Sequence, residues 1–142
     1  MTATTLDFQD ILKVASSGMR AQGERMRIIA ENIANANSTA STPGGEPYQR
    51  RVVLFKNILD KVSGASLVKV AAVRSDKSAF GKVYDPSNPA ADPNTGYVLQ
   101  PNVKPLIEMV DMREAQRGYE ANLSIIDSAR NMLARALDIL RG

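Results

Sequence analysis

Residues 6–36 read LDFQDILKVASSGMRAQGERMRIIAENIANA, and the fold follows from how their apolar positions recur. Phe8, Leu12, Ala15, Met19, Gln22, Met26, Ile29, Ile33 and Ala36 return at alternating spacings of four and three. On a helix that spacing draws a single apolar seam, interrupted only by Gln22. At about 1.5 Å per residue the predicted helix reaches about 46 Å. Gly18 and Gly23 each weaken it by about 1 kcal/mol relative to Ala, so it needs a partner to persist. Thr4, Thr5 or Asp7 is expected to cap its start.

Working outward, residues 105–140 mirror this pattern at the other end of the chain. Met112, Ala115, Tyr119, Asn122, Ile126, Ala129, Leu133, Ala136 and Leu140 again repeat at three and four. Pro105 suits a first helical turn, where its missing N–H costs nothing. Glu108 and Asp111 carry the charge that a helix N-terminus favours. Leu123, Ile125, Met132, Leu137 and Ile139 widen the stripe beyond a two-stranded seam. A helix of about 54 Å, apolar on this many sides, is not satisfied by one partner helix.

The interior changes character. Residues 37–49, NSTASTPGGEPYQ, are small, polar and rich in Gly and Pro, so they form a loop. Arg51–Lys56, Ser66–Arg74, Phe80–Asp85 and Gly96–Gln100 are short β-branched or aromatic runs bounded by turn residues. Residues 85–95, DPSNPAADPNT, place Pro86, Pro89 and Pro93 among turn formers, so no element crosses them. The predicted fold class is α+β. Two long terminal helices form a coiled coil, and a small antiparallel sheet or hairpin is inserted between them. The expected division is an N-terminal helix in 1–37, a loop and β-rich insert in 38–104 and a C-terminal helix in 105–142.

Composition narrows the chemistry. The 142 residues contain no His, no Cys and no Trp. Imidazole acid–base catalysis, imidazole or thiolate metal ligation, a Cys nucleophile and a Ser-His-Asp triad are all excluded. Asp111 and Glu114 stand three apart on the predicted C-terminal helix, beside Arg113 and Arg117, which reads as surface ion pairing and not as catalysis. Gly44-Gly45 is a turn, because no helix with a Lys-Ser/Thr start follows it. No catalytic, cofactor or metal site is expected. The net charge is +3, and the excess of positive charge sits in the middle of the chain, where Arg50, Arg51, Lys56, Lys61, Lys69, Arg74, Lys77 and Lys82 follow no repeated spacing. Nucleic-acid binding needs a basic stripe with stacking aromatics, so a solvated face is the expected reading. No stretch approaches the roughly 20 apolar residues of a membrane span, and no cleavable secretory signal is visible.

The polar exceptions on the helices are the informative ones. Asn32, Asn35 and Asn37 cluster at the end of the first helix. They can cap its C-terminus, since Asn tolerates left-handed geometry and bonds loose carbonyls, or they can form a polar point where several chains meet. Gln22 and Asn122 sit on the two seams, facing solvent where the stripe drifts or setting register between helices.

Those residues carry a resemblance. AENIANANST, residues 30–39, resembles the signature of flagellar rod and hook proteins near the end of their N-terminal helix. STPGGEPYQRR (41–51), DPSNPAADPNTGYVLQPNV (85–103) and IEMVDMREAQRGYEANLSIIDSARNML (107–133) are similar to the proximal-rod members of that family. The likeness spans the chain and is least typical over 57–82. It implies a structural subunit of a rod crossing the periplasm, exported through the flagellar type III apparatus without a cleaved signal. Implied partners are further copies of itself, other rod subunits, the membrane-ring and export-gate base and the rod cap. Implied assembly residues are Leu12, Met19, Met26, Ile29, Asn32, Ile33, Asn35 and Asn37 on the first helix. On the second they are Met112, Tyr119, Asn122, Ile126, Leu133, Leu137 and Leu140. A soluble helical-hairpin adaptor or chaperone is the competing expectation.

Overall fold

A computed structural model describes residues 8–142. Helix α1 spans Phe8–Ala34 and helix α2 spans Pro105–Arg141, with Pro105 in the first turn as expected. The first helix therefore stops two residues short of the expected end, where Asn35 and Ser38 close it with bonds to the Glu31 and Asn35 carbonyls. The expected capping residues Thr4, Thr5 and Asp7 lie outside the described residues.

The helices run antiparallel. Asn32 meets Glu108, Arg25 meets Glu114, and the Gly18 backbone lies against the Asn122 side chain. In the folded chain α1 buries Ala15, Ser17, Ala21, Ile28, Ile29 and Asn32, whereas α2 buries only Glu108, Ala115 and Ala129. Every residue from Arg130 to Gly142 is exposed. The expectation that one partner cannot cover the α2 stripe thus holds for its last third.

The insert is two separate two-stranded sheets where one was expected. Strand β1 (Arg51–Leu59) pairs antiparallel with β2 (Ser66–Ser75), from Arg51 opposite Ser75 to Leu59 opposite Ser66. A register shift between Leu54 and Phe55 leaves Ala71 as an extra residue, a β-bulge. The turn is tied by Gly64 N–H donating to the Asp60 carbonyl at 2.7 Å, with Gly64 at φ +74°, a conformation that suits glycine. An isolated hairpin is marginal in water. This one leans on α1, where the Val68 N–H donates to Ser17 Oγ at 3.1 Å.

Strand β3 (Gly81–Tyr84) pairs antiparallel with β4 (Tyr97–Gln100), and residues 85–96 between them carry no strand or helix, as the prolines require. Tyr84 and Tyr97 meet edge to face at 5.3 Å, and Ala90, Ala91 and Val98 form a small core under the loop. Gly96 sits at φ +72°, and a Cβ there would lie 2.9 Å from the Tyr84 ring.

Candidate assembly interface

The end of α1, the start of β1 and the start of α2 meet at Asn32. This side chain is 1% exposed, and each of its polar atoms is used twice. Its amide donates to the Arg51 carbonyl at 2.8 Å and to Glu108 Oε2 at 3.0 Å. Its carbonyl oxygen accepts from Tyr48 Oη at 2.8 Å and from the Arg51 N–H at 2.9 Å. Asn32 therefore pairs with the Arg51 backbone as a neighbouring strand would, and pins the hairpin to the helix. From the other side Asn102 accepts from the Arg50 N–H at 2.7 Å and donates to the Asp76 carbonyl at 2.8 Å.

The charge at this junction is balanced within the chain. Glu108 is 0% exposed and bonds to Arg50 Nε as well as to Asn32. Arg50 also reaches Asp76 and Asp111, each at 3.4 Å. Burial opposes the Arg50 charge, but its bonds to Glu108 and Asp76 outweigh that and hold the guanidinium above its ordinary value. Burial likewise raises the Tyr48 phenol, which keeps it a neutral donor to Asn32. A buried charge needs both a partner and hydrogen bonds, and Glu108 has both. Its role goes beyond the helix-dipole effect expected from sequence.

Along the seam, the helices approach through two reciprocal contacts. A Cβ on Gly18 would lie 2.7 Å from Asn122 Nδ2, and one on Gly118 would lie 3.0 Å from Gln22 Nε2. Each glycine thus accommodates the amide side chain of the facing helix. Asn122 also donates to its own Gly118 carbonyl at 2.8 Å, whereas Gln22 Oε1 is buried without a partner among the described residues. Gly18, expected to weaken α1, is where the Asn122 side chain of the second helix comes close; a Cβ on Gly23 would meet nothing within 4 Å. Both seam amides lie between the helices of one chain.

The implied assembly residues fall into three groups. Asn32 and Ile29 are buried within the chain. Leu12, Met19, Met26, Ile33, Asn35, Met112, Tyr119, Asn122 and Ile126 are half-buried. Asn37, Leu133, Leu137 and Leu140 are exposed, the leucines at 42%, 52% and 83%. Of the Asn cluster, Asn32 is an internal hub, Asn35 bonds the Glu31 carbonyl at 2.8 Å as a helix end does, and Asn37 is exposed at the surface. The ion pairs expected within α2 are also different. Asp111 and Glu114 turn to Arg25 of α1, at 4.0 and 3.2 Å, and not to Arg113 or Arg117. Sequence reasoning missed Tyr48, Arg50 and Asn102 as partners of this junction, because their contacts cross 16 to 58 positions of chain. Among the described residues no group of acids is placed to hold a metal ion, and no helix is long and apolar enough to cross a membrane.

Comparison with known proteins agrees with this layout at both ends. A family model described as flagella basal body rod protein matches residues 12–40. A second, described as flagellar basal body rod FlgEFG protein C-terminal, matches residues 94–139. The flagellar basal-body rod protein FlgC of Agrobacterium fabrum is 52% identical over 129 residues, covering 91% of this chain and 92% of the relative. FlgC of Borreliella burgdorferi is 40% identical over 148 residues, covering 92% and 96%. FlgC of Salmonella typhimurium is 37% identical over 132 residues, with the same coverage. At that identity along nearly the whole length, the chain belongs to the FlgC family of flagellar basal-body rod proteins.

Proposed function

We propose that this chain, a structural subunit of the flagellar basal-body rod, builds the proximal rod by polymerising through its terminal helices. Its place is the flagellar basal body, among other basal-body components. In this reading it does no catalysis. It forms part of a periplasm-crossing shaft that transmits torque and surrounds an export path. Residues 1–37 and 105–142 supply the rod core, and 38–104 form the inserted domain. The neighbours are further copies, other rod subunits, the membrane-ring and export-gate base and the rod cap.

One observation carries this reading. The apolar stripe of α2 continues through Leu133, Leu137, Ile139 and Leu140 with nothing covering it among the described residues. Burying those four side chains is worth about 1.5–3 kcal/mol each, which is available only in an assembly. Half-buried Met112, Tyr119 and Ile126 on α2, with Leu12, Met19, Met26 and Ile33 on α1, border the same seam and extend the contact surface. Coiled-coil packing between subunits is the arrangement that this three-and-four spacing serves.

Deleting the chain from Leu133 onward tests the reading. The deletion leaves both hairpins and the Asn32 junction in place. It should abolish incorporation into isolated basal bodies and abolish motility. A truncated chain that still supports motility contradicts the proposal.

A further inference from the structure

The β1–β2 hairpin carries charge that its own chain does not answer. Cross-strand partners share a face, and positions alternate along a strand. One face therefore holds Val52, Leu54, Lys56 and Ile58 opposite Arg74, Ala72, Lys69 and Leu67. Lys56 and Lys69 stand directly opposite each other, both exposed, an arrangement that destabilises a hairpin on its own. The hairpin's acids are committed elsewhere: Asp60 pairs with Lys13 at 3.7 Å and Asp76 with Arg50 at 3.4 Å. Lys56, Lys69 and Arg74 make no ion pair among the described residues. Where β2 meets α1, a groove of about 500 Å³ is lined by Ile58, Leu67 and Lys69 of this face, by Val68 and Val70 of the other, and by Ser17, Arg20 and Ala21 of the helix. Leu54, 37% exposed, continues the apolar strip outward.

The complementary surface lies on α2. Glu120, Asp127 and Asp138 are spaced by seven and eleven residues, which returns them to one helical direction within about 20°. All three are exposed, none forms an ion pair among the described residues, and Ser124 and Asn131 lie between them. Arg130 and Arg135 lie to the two sides of the stripe. Leu123, 42% exposed, borders it near Glu120. Glu120 and Asp127 stand about 10.5 Å apart along the helix axis. The Lys56–Lys69 pair and Arg74 stand about 13 Å apart along the hairpin, a difference that long basic side chains span. Within one chain these surfaces do not meet: the hairpin packs on α1, and neither of its strands comes within 8 Å of α2, Cα to Cα.

We propose that the basic, apolar face of the β1–β2 hairpin docks on the acidic outer stripe of α2 in a second copy of this chain. Two different patches meeting between identical subunits make a head-to-tail contact, which generates rings or helical filaments and not a closed pair. The inference rests on the assembly reading above, and supplies it with a lateral contact outside the helical seam.

Two measurements in cells making the full chain test it. Lys56→Glu with Lys69→Glu should lower incorporation into isolated basal bodies about tenfold, since like charges facing across an interface repel. Adding Glu120→Lys and Asp127→Lys to the same chain should restore it; a loss that the charge swap does not restore overturns the proposal. The chain has no cysteine, so an engineered pair gives the only disulfide it can form. Oxidised basal bodies carrying Lys69→Cys and Asp127→Cys should yield cross-linked multimers of this chain. Basal bodies that contain the variant yet yield no such multimer, or link it only to a different subunit, overturn this contact while leaving the rod assignment intact. Absence of even the unmodified chain from basal bodies overturns the rod assignment itself and this contact with it.

Discussion

Replacing Asn32 by Asp changes only the amide group of one buried side chain, and the structure sets what that change costs. The carbonyl oxygen keeps its bonds from Tyr48 and from the Arg51 N–H. The amide nitrogen, which donates to the Arg51 carbonyl at 2.8 Å and to Glu108 Oε2 at 3.0 Å, becomes a second acceptor facing two acceptors. Each lost bond to a charged or buried partner is worth about 1–3 kcal/mol, and both partners are left unsatisfied. With Glu108 fully buried, Asn32→Asp should cost about 3–5 kcal/mol at pH 7, comparable to the whole stability of a marginal domain. The sign of the pH dependence follows. The carboxyl introduced at position 32, buried beside an acceptor it cannot bond to when ionised, holds a proton that the unfolded chain releases near the ordinary Asp value of about 3.9. The folded variant then binds more protons than the unfolded one, so its deficit grows as pH rises above that value and shrinks on acidification. Thermal or urea unfolding followed by circular dichroism at several pH values measures it. Asn35→Asp, at the end of the helix, serves as a control that should cost about 1 kcal/mol. A loss below about 1 kcal/mol for Asn32→Asp, or a gap to wild type that widens in acid, refutes the hub.

Gly18→Val should destabilise by about 1–3 kcal/mol, because the new side chain meets Asn122, whereas Gly23→Ala meets nothing and should stabilise by about 0.5–1 kcal/mol; paired melting curves with the opposite order would contradict the assigned close approach. In the isolated chain the amides from Asn131 to Arg141 should exchange hydrogen fastest in α2, since no residue there is buried, and isolated helical turns are marginal. Uniform protection along α2 in a monomer would show that the stripe needs no partner. The Asp76 carboxyl is held below its ordinary value by the Ser78 N–H, then by the Ser78 hydroxyl and Arg50. Its contribution is present above about pH 3.9 and lost as pH falls through the lowered value, so Asp76→Asn should flatten acid unfolding in that window. An unchanged acid limb in the variant would contradict it.

What the sequence revealed, and what it hid, follows from the range of the forces involved. Helix periodicity is local, so the seam from Phe8 onward and the one from Met112 onward could be read directly, and Pro105 marked its boundary. The strands were readable as β-branched runs, but their pairing was not. Nothing in Arg51–Lys56 announces that β1 continues to Leu59, or that a bulge at Ala71 shifts its register. The candidate assembly residues split for the same reason. The apolar stripe through Leu133, Leu137 and Leu140 can be read from the spacing alone, and the structure leaves these three leucines exposed. Asn32 was noticed but read as a cap or a meeting point of chains. Its partners Tyr48, Arg51 and Glu108 come from three other segments, and only the folded chain brings them together. Propensity charges Gly18 for its flexibility, but the close approach of Asn122 depends on the other helix and is not written in the local sequence.

The most direct test of the central claim is an image of intact basal bodies from cells that make this chain, at a resolution that shows side chains. Such an image should show α1 and α2 within the rod wall, with Leu133, Leu137 and Leu140 buried against helices of neighbouring subunits. Basal bodies whose rods lack the chain, or in which those three leucines face solvent, would contradict it.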